Sequence, residues 1–401
     1  MEVAVVGGGV VGTLTAHFLR EQGCQVTVYE RAEEPASETS RANGGQLSYS
    51  FCDAMADPQL LPRLPGILLG MDPAFRIRPS LQPGFIQWGL KFLGQCRKQR
   101  RDENTRMLLS LALRSSELMQ PLNQKFGPHA THARNGKLVL LNHAVDAETK
   151  RRVAMKRDTG LDVRVLDRDE MLAIEPALAS LTEPTTAAIY SPSDEVANAH
   201  TFTKCLARAL NAAGVAFRYG EEITALQPGD SHCGVETAAG IEAYDAVVIA
   251  TGDGATRLLE PHGVRFPVLG MSGYSWTFPA TEASPTTSIT ALSRRLVFSR
   301  LGDVIRVAGF ADVNAKRSQI QARANTLREF ATGLLPDGAV YDAPIGTAWH
   351  GMRAMTPDSR PIVGATALPG VYTNLGHGML GWTLGAATSE LVAGEVANAA
   401  R

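Results

Sequence analysis

Two short apolar runs flank a glycine-rich segment at the start of the chain. Residues 3–6 are Val-Ala-Val-Val, residues 7–12 are Gly-Gly-Gly-Val-Val-Gly, and residues 25–30, Gln-Val-Thr-Val-Tyr-Glu, end in a carboxylate. Short runs rich in β-branched residues predict strands, and the stretch between them is long enough for a helix. The pattern therefore predicts a strand, a tight turn, a helix and a second strand.

The glycine spacing in that turn is typical of dinucleotide-binding β-α-β units. Gly7 allows the tight turn, Gly9 lets the backbone approach a pyrophosphate, and Gly12 lets the helix pack closely on the sheet. The helix amino terminus would also offer unpaired N–H groups to the phosphates. Glu30 closes the unit as an acceptor for ribose hydroxyls, which disfavours a ligand carrying a 2′-phosphate.

The segment after this unit is predicted to form loop, then helices, then a strand. Repeated prolines in residues 58–84 predict loop with short helical turns. Apolar residues at helical spacing in residues 85–126 predict two helices, broken near Arg101 and Asp102. Residues 136–141, Gly-Lys-Leu-Val-Leu-Leu, predict a strand.

The second half again alternates helical and strand-like segments. Residues 246–250 predict a buried strand, and residues 267–278 and 295–310 predict an antiparallel sheet. We therefore expect an α/β fold, with a Rossmann-like dinucleotide-binding domain interrupted by an α+β domain that has a mixed or antiparallel sheet. The expected boundaries are 1–55, 147–255 and 345–401 for the first domain, and 56–146 and 256–344 for the second.

Composition narrows the class of partner. The chain has 39 basic and 40 acidic residues, so nothing in its net charge favours nucleic acid. Its five cysteines are dispersed, without a Cys-x-x-Cys pair or metal-ligand spacing, which predicts reduced thiols in a cytoplasmic protein and no metal site. The first strand begins so early that we expect no signal peptide, and no apolar run is long enough to cross a bilayer.

One basic segment is a candidate for contact with a membrane. Residues 97–101, Arg-Lys-Gln-Arg-Arg, follow the apolar Phe85, Trp88 and Phe92. Such a run is usually a solvated helix face, and the alternative is peripheral contact with anionic lipid at the inner face of the membrane.

An arginine beside a proline-stiffened turn is a candidate substrate ligand. Residues 351–364 read Gly-Met-Arg-Ala-Met-Thr-Pro-Asp-Ser-Arg-Pro-Ile-Val-Gly. The planar fork of Arg353 suits bidentate capture of a carboxylate, which a lysine would hold less directionally. The residues themselves leave a second reading open, in which Arg353 forms a structural pair with Asp358.

Three glycines surround one histidine near the end of the chain. His377 lies between Gly376 and Gly378, ahead of an Ala/Leu-rich helix. Such a loop permits close backbone approach, and the following helix amino terminus could face an electron-rich ring such as a flavin. The alternative is an ordinary loop histidine. Thr251 and Gly252 follow a predicted buried strand, and they are either a second dinucleotide contact or a simple turn.

Taken together, these motifs resemble the D-amino-acid oxidase superfamily of FAD enzymes, and within it the small subunit of bacterial D-amino-acid dehydrogenases. The likeness extends over nearly the whole chain. It is carried by residues 38–46 (Glu-Thr-Ser-Arg-Ala-Asn-Gly-Gly-Gln), 273–275 (Gly-Tyr-Ser), 355–358 (Met-Thr-Pro-Asp), 376–378 (Gly-His-Gly) and 380–383 (Leu-Gly-Trp-Thr).

The resemblance implies FAD as cofactor and a set of residues around it. Arg353 would bind the substrate carboxylate, and Tyr274, Tyr49 and His377 would complete the catalytic site. The implied cofactor contacts are Gly7, Gly9, Val10, Val11, Gly12, Glu30, Arg31, Thr39, Ser40, Asn43, Gly44, Gly45, Gln46, Leu47, Ile223, Thr251, Gly252, Gly378, Met379, Leu380, Gly381, Trp382 and Thr383.

The implied reaction is dehydrogenation of a D-amino acid or cyclic imino acid by hydride transfer from Cα to flavin N5. Unless the substrate is cyclic, the imino acid product would hydrolyse to a 2-oxo acid and ammonia. The electron acceptor, whether a quinone, oxygen or a partner subunit, stays open. Two departures from the family pattern, Ser272 in place of a lysine and the segment after Ser48, fall near the expected pocket.

Two other functions are also compatible with these residues. The chain could be the catalytic subunit of a multicomponent dehydrogenase for D-hydroxyproline or another imino acid. It could also be a non-catalytic flavin- or NAD-binding module, although that function would not explain Arg353 or the Gly-His-Gly loop.

Overall fold

The computed structural model describes residues 1–229 and 232–399. The α-helices there are α1 (Val10–Glu21), α2 (Leu64–Leu68), α3 (Pro83–Gln95), α4 (Lys98–Phe126), α5 (Ala147–Asp158), α6 (Arg168–Ile174), α7 (Ala199–Ala212), α8 (Ala255–Leu259), α9 (Ile320–Leu334) and α10 (Gly381–Ala399). The strands are β1 (Glu2–Val6), β2 (Gln25–Glu30), β3 (Gln46–Leu47), β4 (Phe75–Ile77), β5 (Lys137–Leu141), β6 (Arg164–Asp167), β7 (Ala187–Ser191), β8 (Glu195–Val196), β9 (Ala216–Tyr219), β10 (Ala225–Pro228), β11 (Cys233–Thr237), β12 (Gly240–Tyr244), β13 (Ala246–Ile249), β14 (Leu269–Pro279), β15 (Ser288–Ala291), β16 (Leu296–Leu301), β17 (Val304–Val313), β18 (Trp349–Met355), β19 (Ile362–Ala365) and β20 (Val371–Leu375).

The first large sheet is the predicted dinucleotide-binding sheet. Its order is β19-β20-β13-β1-β2-β9, and every pairing except that of β19 with β20 is parallel. Val5 pairs with Val28 on one side and Val248 on the other, and all three are fully buried. Helices α1, α4, α7 and α10 cover one face, and the other face packs on the small β10-β11-β12 sheet and α8. The α/β prediction is confirmed.

The second large sheet is mostly antiparallel and carries α9 on one face. Its order is β18-β14-β17-β16-β15-β5-β7-β6, with β4 pairing to β17. Strands β6 and β7 belong to this sheet, although they lie within residues 147–255, which were expected in the dinucleotide-binding domain. Strand β18 also belongs to it, although it lies within residues 345–401, which were expected in the same domain. Periodicity identifies strands but not their partners, so the sequence did not anticipate these pairings.

The break between the two predicted helices lies earlier than expected. Helix α3 ends at Gln95 and α4 begins at Lys98, so Arg101 and Asp102 lie inside α4 rather than at the break. Both are buried, and Arg101 bonds Asp102, Asp57 and Glu148. These hydrogen bonds satisfy the buried charges of Arg101 and Asp102 within α4. In the sequence, the same two charged residues indicated a break between helices.

Among residues 1–229 and 232–399, no helix is both long and apolar enough to cross a bilayer.

Candidate active site

A cavity of about 1140 Å³ lies between the two large sheets. One wall is formed by the carboxyl ends of β1, β2, β13 and β20, and the other by strands of the second sheet. Ligands of open α/β sheets bind outside the carboxyl ends of the strands, so this is the expected place for a dinucleotide.

The turn after β1 needs glycine for two separate reasons. Gly7 has φ +110°, a conformation that residues with a side chain rarely adopt. A Cβ at Gly12 would lie 1.9 Å from the carbonyl oxygen of Gly7, so a side chain there would separate helix from turn. Gly9 caps α1 without a side-chain hydrogen bond, the Val10 N–H donates to Ser40 Oγ at 3.1 Å, and this helix amino terminus borders the cavity.

Glu30 closes the same turn at the end of β2. Its Oε2 accepts a hydrogen bond from the Gly8 N–H at 2.8 Å, and its Oε1 accepts one from the Ala32 N–H at 2.9 Å. Burial raises the pKa of this carboxyl, which the two backbone donors partly offset. Glu30 therefore stiffens the glycine turn in addition to lining the cavity.

Backbone from residues 42–44 is fixed by the second sheet. Hydroxyls of Ser275 and Ser299 donate to the carbonyls of Ala42 and Gly44 at 2.6 and 2.7 Å, and Arg306 donates to the carbonyl of Asn43 at 3.1 Å. These bonds hold the irregular Asn-Gly-Gly backbone against the cavity. They also join this segment to the second large sheet at the site.

The two glycine-dense ends of the chain meet at this cavity. Ser48 N–H donates to Thr383 Oγ1 at 3.2 Å, which links the segment after the Asn-Gly-Gly turn to the start of α10. Gly378 has φ +56°, and a Cβ there would lie 2.8 Å from the sulfur of Met355. The sequence motifs are thus neighbours in space although more than 300 residues separate them.

His377 is buried and held neutral. Its Nε2 lies 2.9 Å from Thr388 Oγ1 of α10, and burial lowers its pKa to about 4. A neutral imidazole bonded to the helix supports the loop, and its Nε2 is occupied by the hydrogen bond with Thr388.

Arg353 reaches the cavity from β18 with most of its donors unused. Its Nη1 donates to the Phe310 carbonyl at 2.7 Å, and it forms no ion pair with any carboxylate of the described residues. Burial lowers its pKa to about 10, opposed by Asp312 and Tyr274, so it stays charged near neutrality. Asp358, the alternative partner, accepts instead from the Arg360 N–H at 3.1 Å. This guanidinium is free to bind an anion.

The two predicted tyrosines differ in position. Tyr274 lines the cavity, and its hydroxyl donates to Asp312 Oδ2 at 2.9 Å. Arg323 holds the same carboxylate through two bonds at 2.7 and 2.8 Å, so the ring is firmly positioned. Tyr49, only 2% exposed, lies in the hydrophobic core and does not line the cavity. Packing of its ring in the core decides where Tyr49 lies, although the residue is close in sequence to the glycine turn.

Nearly every predicted site residue borders this cavity. Of the candidate cofactor contacts and catalytic residues, the ones that do not line it are Gly12, Leu47 and Tyr49. Gly12 packs helix against turn, and Leu47 is fully buried in the core. Arg31 bonds Glu38 at the rim through its Nε, at 2.7 Å.

Lys137 is a cavity residue that the sequence analysis missed. It is 2% exposed, and its Nζ donates to Gln46 Oε1 at 2.8 Å and to Ser48 Oγ at 2.7 Å. Burial lowers its pKa to about 8, and the Asp194 carboxylate opposes the shift. A lysine that opens a strand carries no sequence signal of burial, because most such lysines are solvated.

Ser272, the departure from the family pattern, faces away from the cavity. It does not line it, and its Oγ lies 3.0 Å from His350 Nε2.

Several buried polar atoms around the cavity have no hydrogen-bond partner in the described residues. Buried polar groups are normally paired, so such atoms point to a missing ligand. Those that belong to residues lining the cavity are Glu221 Oε2, Thr251 Oγ1, Thr290 Oγ1, Trp349 Nε1, Asn374 Oδ1 and Trp382 Nε1. A large ligand with many acceptors and donors, as FAD is, fits this lining.

Comparisons with known proteins agree on the type of cofactor. The profile of the DAO family, described as FAD dependent oxidoreductase, matches residues 2–395. D-amino acid dehydrogenase 2 of Ralstonia nicotianae is 36% identical over 413 residues, which cover 100% of this chain and 97% of the relative. D-amino acid dehydrogenase of Dechloromonas aromatica is 37% identical, with 98% and 97% covered.

Solved structures share the fold. Glycine oxidase from Geobacillus kaustophilus superposes with a TM-score of 0.75 at 22% identity and covers 99% of this chain and 94% of its own. L-proline dehydrogenase from P. horikoshii gives 0.74 at 19%, with 98% and 92% covered. At these identities the likeness shows the fold alone.

Proposed function

Since this chain belongs to the DAO family of FAD-dependent oxidoreductases, with FAD as its cofactor, we propose that it dehydrogenates a D-amino acid. A cyclic imino acid is the second substrate class. The relatives named D-amino acid dehydrogenase support the first class, because they cover nearly the whole chain at 36 and 37% identity.

The observation that carries this proposal is the guanidinium of Arg353. It lines the cavity, and Phe310 is its hydrogen-bond acceptor, with no carboxylate paired to it in the described residues. A buried cation without a counter-ion is costly, and a substrate carboxylate would remove that cost through a bidentate pair. The substrate is therefore expected to carry a carboxylate.

The residues that would hold FAD are those lining the cavity from its two glycine-dense ends. Gly7, Gly9 and the amino terminus of α1 would receive the pyrophosphate, and Glu30 the ribose. Backbone of residues 43–46 and 378–383 would surround the ring. When bound, FAD supplies the two-electron acceptor that takes the hydride from Cα.

The chain's own contribution is positioning. Arg353 would hold the carboxylate, and the Tyr274 ring, fixed by Asp312, would border the same pocket. Such orientation can account for much of the rate, and dehydrogenation of a neutral amine requires no strong side-chain base. The pKa of His377, lowered to about 4, makes its imidazole a weak base, and its Nε2 is already hydrogen-bonded to Thr388 Oγ1. When the substrate is an acyclic D-amino acid, water then converts the imino acid to a 2-oxo acid and ammonia.

The acceptor of the electrons is proposed to be a quinone, with a partner subunit as the alternative. Apolar residues of the 58–77 segment, Leu60 and Phe75, line the cavity and would suit an apolar acceptor. Turnover of free D-amino acids by the isolated protein with a quinone analogue would support the first. Turnover of cyclic imino acids that requires added subunits would support the second.

The decisive test compares Arg353→Ala and Arg353→Lys with wild type. We expect Arg353→Ala to raise KM for a D-amino acid by about tenfold to a hundredfold, with FAD retained. The KM of Arg353→Lys should lie between those of wild type and Arg353→Ala. Exposed Arg164→Ala is the control and should match wild type. Unchanged KM in Arg353→Ala would reject the role of Arg353. A flavin that D-, L- and cyclic amino acids all fail to bleach anaerobically would reject the dehydrogenase function.

A further inference from the structure

Arg295 is a second arginine beside the part of the cavity that Arg353 reaches. It immediately precedes β16 and lines the cavity, and its carbonyl accepts a hydrogen bond from the Phe310 N–H at 3.3 Å. The Phe310 carbonyl in turn accepts the hydrogen bond from Arg353. A single residue therefore joins the backbone of Arg295 to the side chain proposed to hold the substrate carboxylate, and both arginines border the same part of the cavity.

The backbone at Arg295 and Phe310 is strained. Their φ angles are +52° and +61°, in the left-handed region that residues with a side chain rarely adopt. The strain occurs where the neighbour of β17 changes from β16 to β4, and Arg295 Cζ lies 5.0 Å from the centroid of the Phe75 ring, which also lines the cavity. Because strained residues of this kind are concentrated at ligand sites, the conformation of Arg295 points to a function in binding.

The carboxylate next to Arg295 is shared with another arginine. Asp72 Oδ2 accepts from Nη2 of Arg295 at 3.2 Å and from Nη2 of Arg63 at 3.4 Å, and its Oδ1 accepts from the N–H groups of Ala74 and Phe75. In residues 1–229 and 232–399, Nε and Nη1 of Arg295 have no acceptor. Burial lowers the pKa of Arg295, Asp72 opposes this shift and Arg63 adds to it, so a further anion would be favoured there.

The acidic residues that line the cavity between residues 53 and 63 are paired with other cations. Asp57 is bonded by Arg101 and Arg152, and Asp53 is bonded by Lys156. None of these three cations lines the cavity, whereas four other basic side chains do. Those four are Arg63, Lys137, Arg295 and Arg353. This part of the cavity therefore has an excess of positive charge.

We propose that Arg295 binds a second carboxylate of the substrate, which is then a D-amino acid with an acidic side chain, such as D-glutamate or D-aspartate. Arg353 would hold the α-carboxylate and Arg295 the side-chain carboxylate, each through the planar donors that suit a bidentate pair. A substrate with an apolar side chain would leave Arg295 with only its share of Asp72. This inference rests on the proposed function and names the substrate class of that site.

D-Glutamate and D-glutamine are a matched pair of substrates, because they have nearly the same shape and differ in one charge. With a dye acceptor, FAD-loaded wild type is expected to show a kcat/KM for D-glutamate at least about tenfold above that for D-glutamine. Arg295→Gln should lower this ratio by at least about tenfold. The control Arg294→Gln removes the neighbouring arginine, which is bonded to Glu183 outside the cavity, and it should keep the wild-type ratio.

Asp72→Asn distinguishes substrate binding from a purely structural ion pair. The amide oxygen can still accept from the backbone of Ala74 and Phe75, but the charge that competes with the substrate is gone. The ratio of kcat/KM for D-glutamate to that for D-glutamine should therefore rise, opposite to the effect of Arg295→Gln. If Arg295 served only to pair with Asp72, both variants would move this ratio in the same direction or leave it unchanged. Flavin absorbance shows that each variant is folded.

Glutarate tests the same site without turnover. It carries two carboxylates and no amine to oxidise, and its binding is measured as a perturbation of the flavin absorbance. Wild type should bind glutarate at least about tenfold more tightly than valerate, which has one carboxylate. Arg295→Gln should bind the two acids with similar affinity.

Three results would overturn this inference and leave the proposed function in place. They are equal kcat/KM of wild type for D-glutamate and D-glutamine, a preference for D-glutamate that Arg295→Gln keeps, and equal affinity of wild type for glutarate and valerate. If no amino acid reduces the flavin, the proposed function fails instead, and glutarate binding then decides whether Arg295 is an anion site.

Discussion

The guanidinium of Arg353 passes directly over the α-carbon of Gly273. A Cβ built at Gly273 would lie 2.2 Å from Nη2 of Arg353 and 2.4 Å from its Cζ. The two residues are on neighbouring antiparallel strands, β14 and β18, and the arginine crosses β14 to reach the Phe310 carbonyl on β17. The missing side chain at position 273 is therefore what allows Arg353 its position in the cavity.

Gly273→Ala is expected to displace this guanidinium without changing any charge. The predicted result is a rise in KM of about tenfold or more for a D-amino acid, since tenfold corresponds to roughly 1.4 kcal/mol of lost binding. FAD absorbance should be retained. Gly333→Ala is the matched control, because a Cβ there meets nothing within 4 Å. Equal kinetics for the two variants would show that Arg353 does not need the space over Gly273.

Asp312→Asn is expected to destabilise the protein and loosen Tyr274 together. Asp312 and Arg323 are 4% and 3% exposed, and loss of one partner leaves a buried charge unpaired, at a cost of roughly 3–5 kcal/mol. Asp162→Asn breaks the exposed pair with Arg164 and should cost less than about 1 kcal/mol. Urea unfolding of both variants measures the difference, and similar losses would contradict the argument.

His377 should make stability depend on pH. Burial lowers its pKa to about 4 in the folded protein, from an ordinary value of 6.5. Between these values the unfolded chain binds a proton that the folded one does not, so stability is lost as pH falls from about 6.5 to 4. Between pH 7 and 5 the wild type should lose about 2 kcal/mol more than His377→Gln. The exposed His143→Gln should behave like wild type, and a His377→Gln profile parallel to wild type would refute this role.

Gly12→Ala is expected to abolish FAD binding and lower expression of folded protein. The new methyl group would overlap the Gly7 carbonyl oxygen at 1.9 Å, and neither the helix nor the turn can move without opening the site. Gly394→Ala in α10 has nothing within 4 Å of its Cβ and should instead stabilise the helix by up to about 1 kcal/mol. Thermal unfolding and the ratio of flavin to protein absorbance test both. A Gly12→Ala protein with full FAD content would disprove the packing argument.

Features with a local physical cause could be predicted from the sequence. The turn at Gly7 and the apolar runs of β1 and β2 are encoded within thirty residues, so their pattern is visible along the chain. Arg353 could be singled out by its proline-stiffened surroundings. The break between α3 and α4 was misplaced, because Arg101 is buried through contacts with Asp57 and Glu148, which are distant in sequence.

By itself the sequence determined the strand-turn-helix unit and the residue types able to hold a dinucleotide, since glycine spacing and strand periodicity act between near neighbours. Only the tertiary structure decided which of these residues share one cavity. It placed Tyr49 in the core, brought Lys137 beside Gln46, and left Arg353 without a carboxylate partner among residues 1–229 and 232–399. The reason is that burial and ion pairing depend on contacts between strands far apart in the chain, which no local pattern specifies.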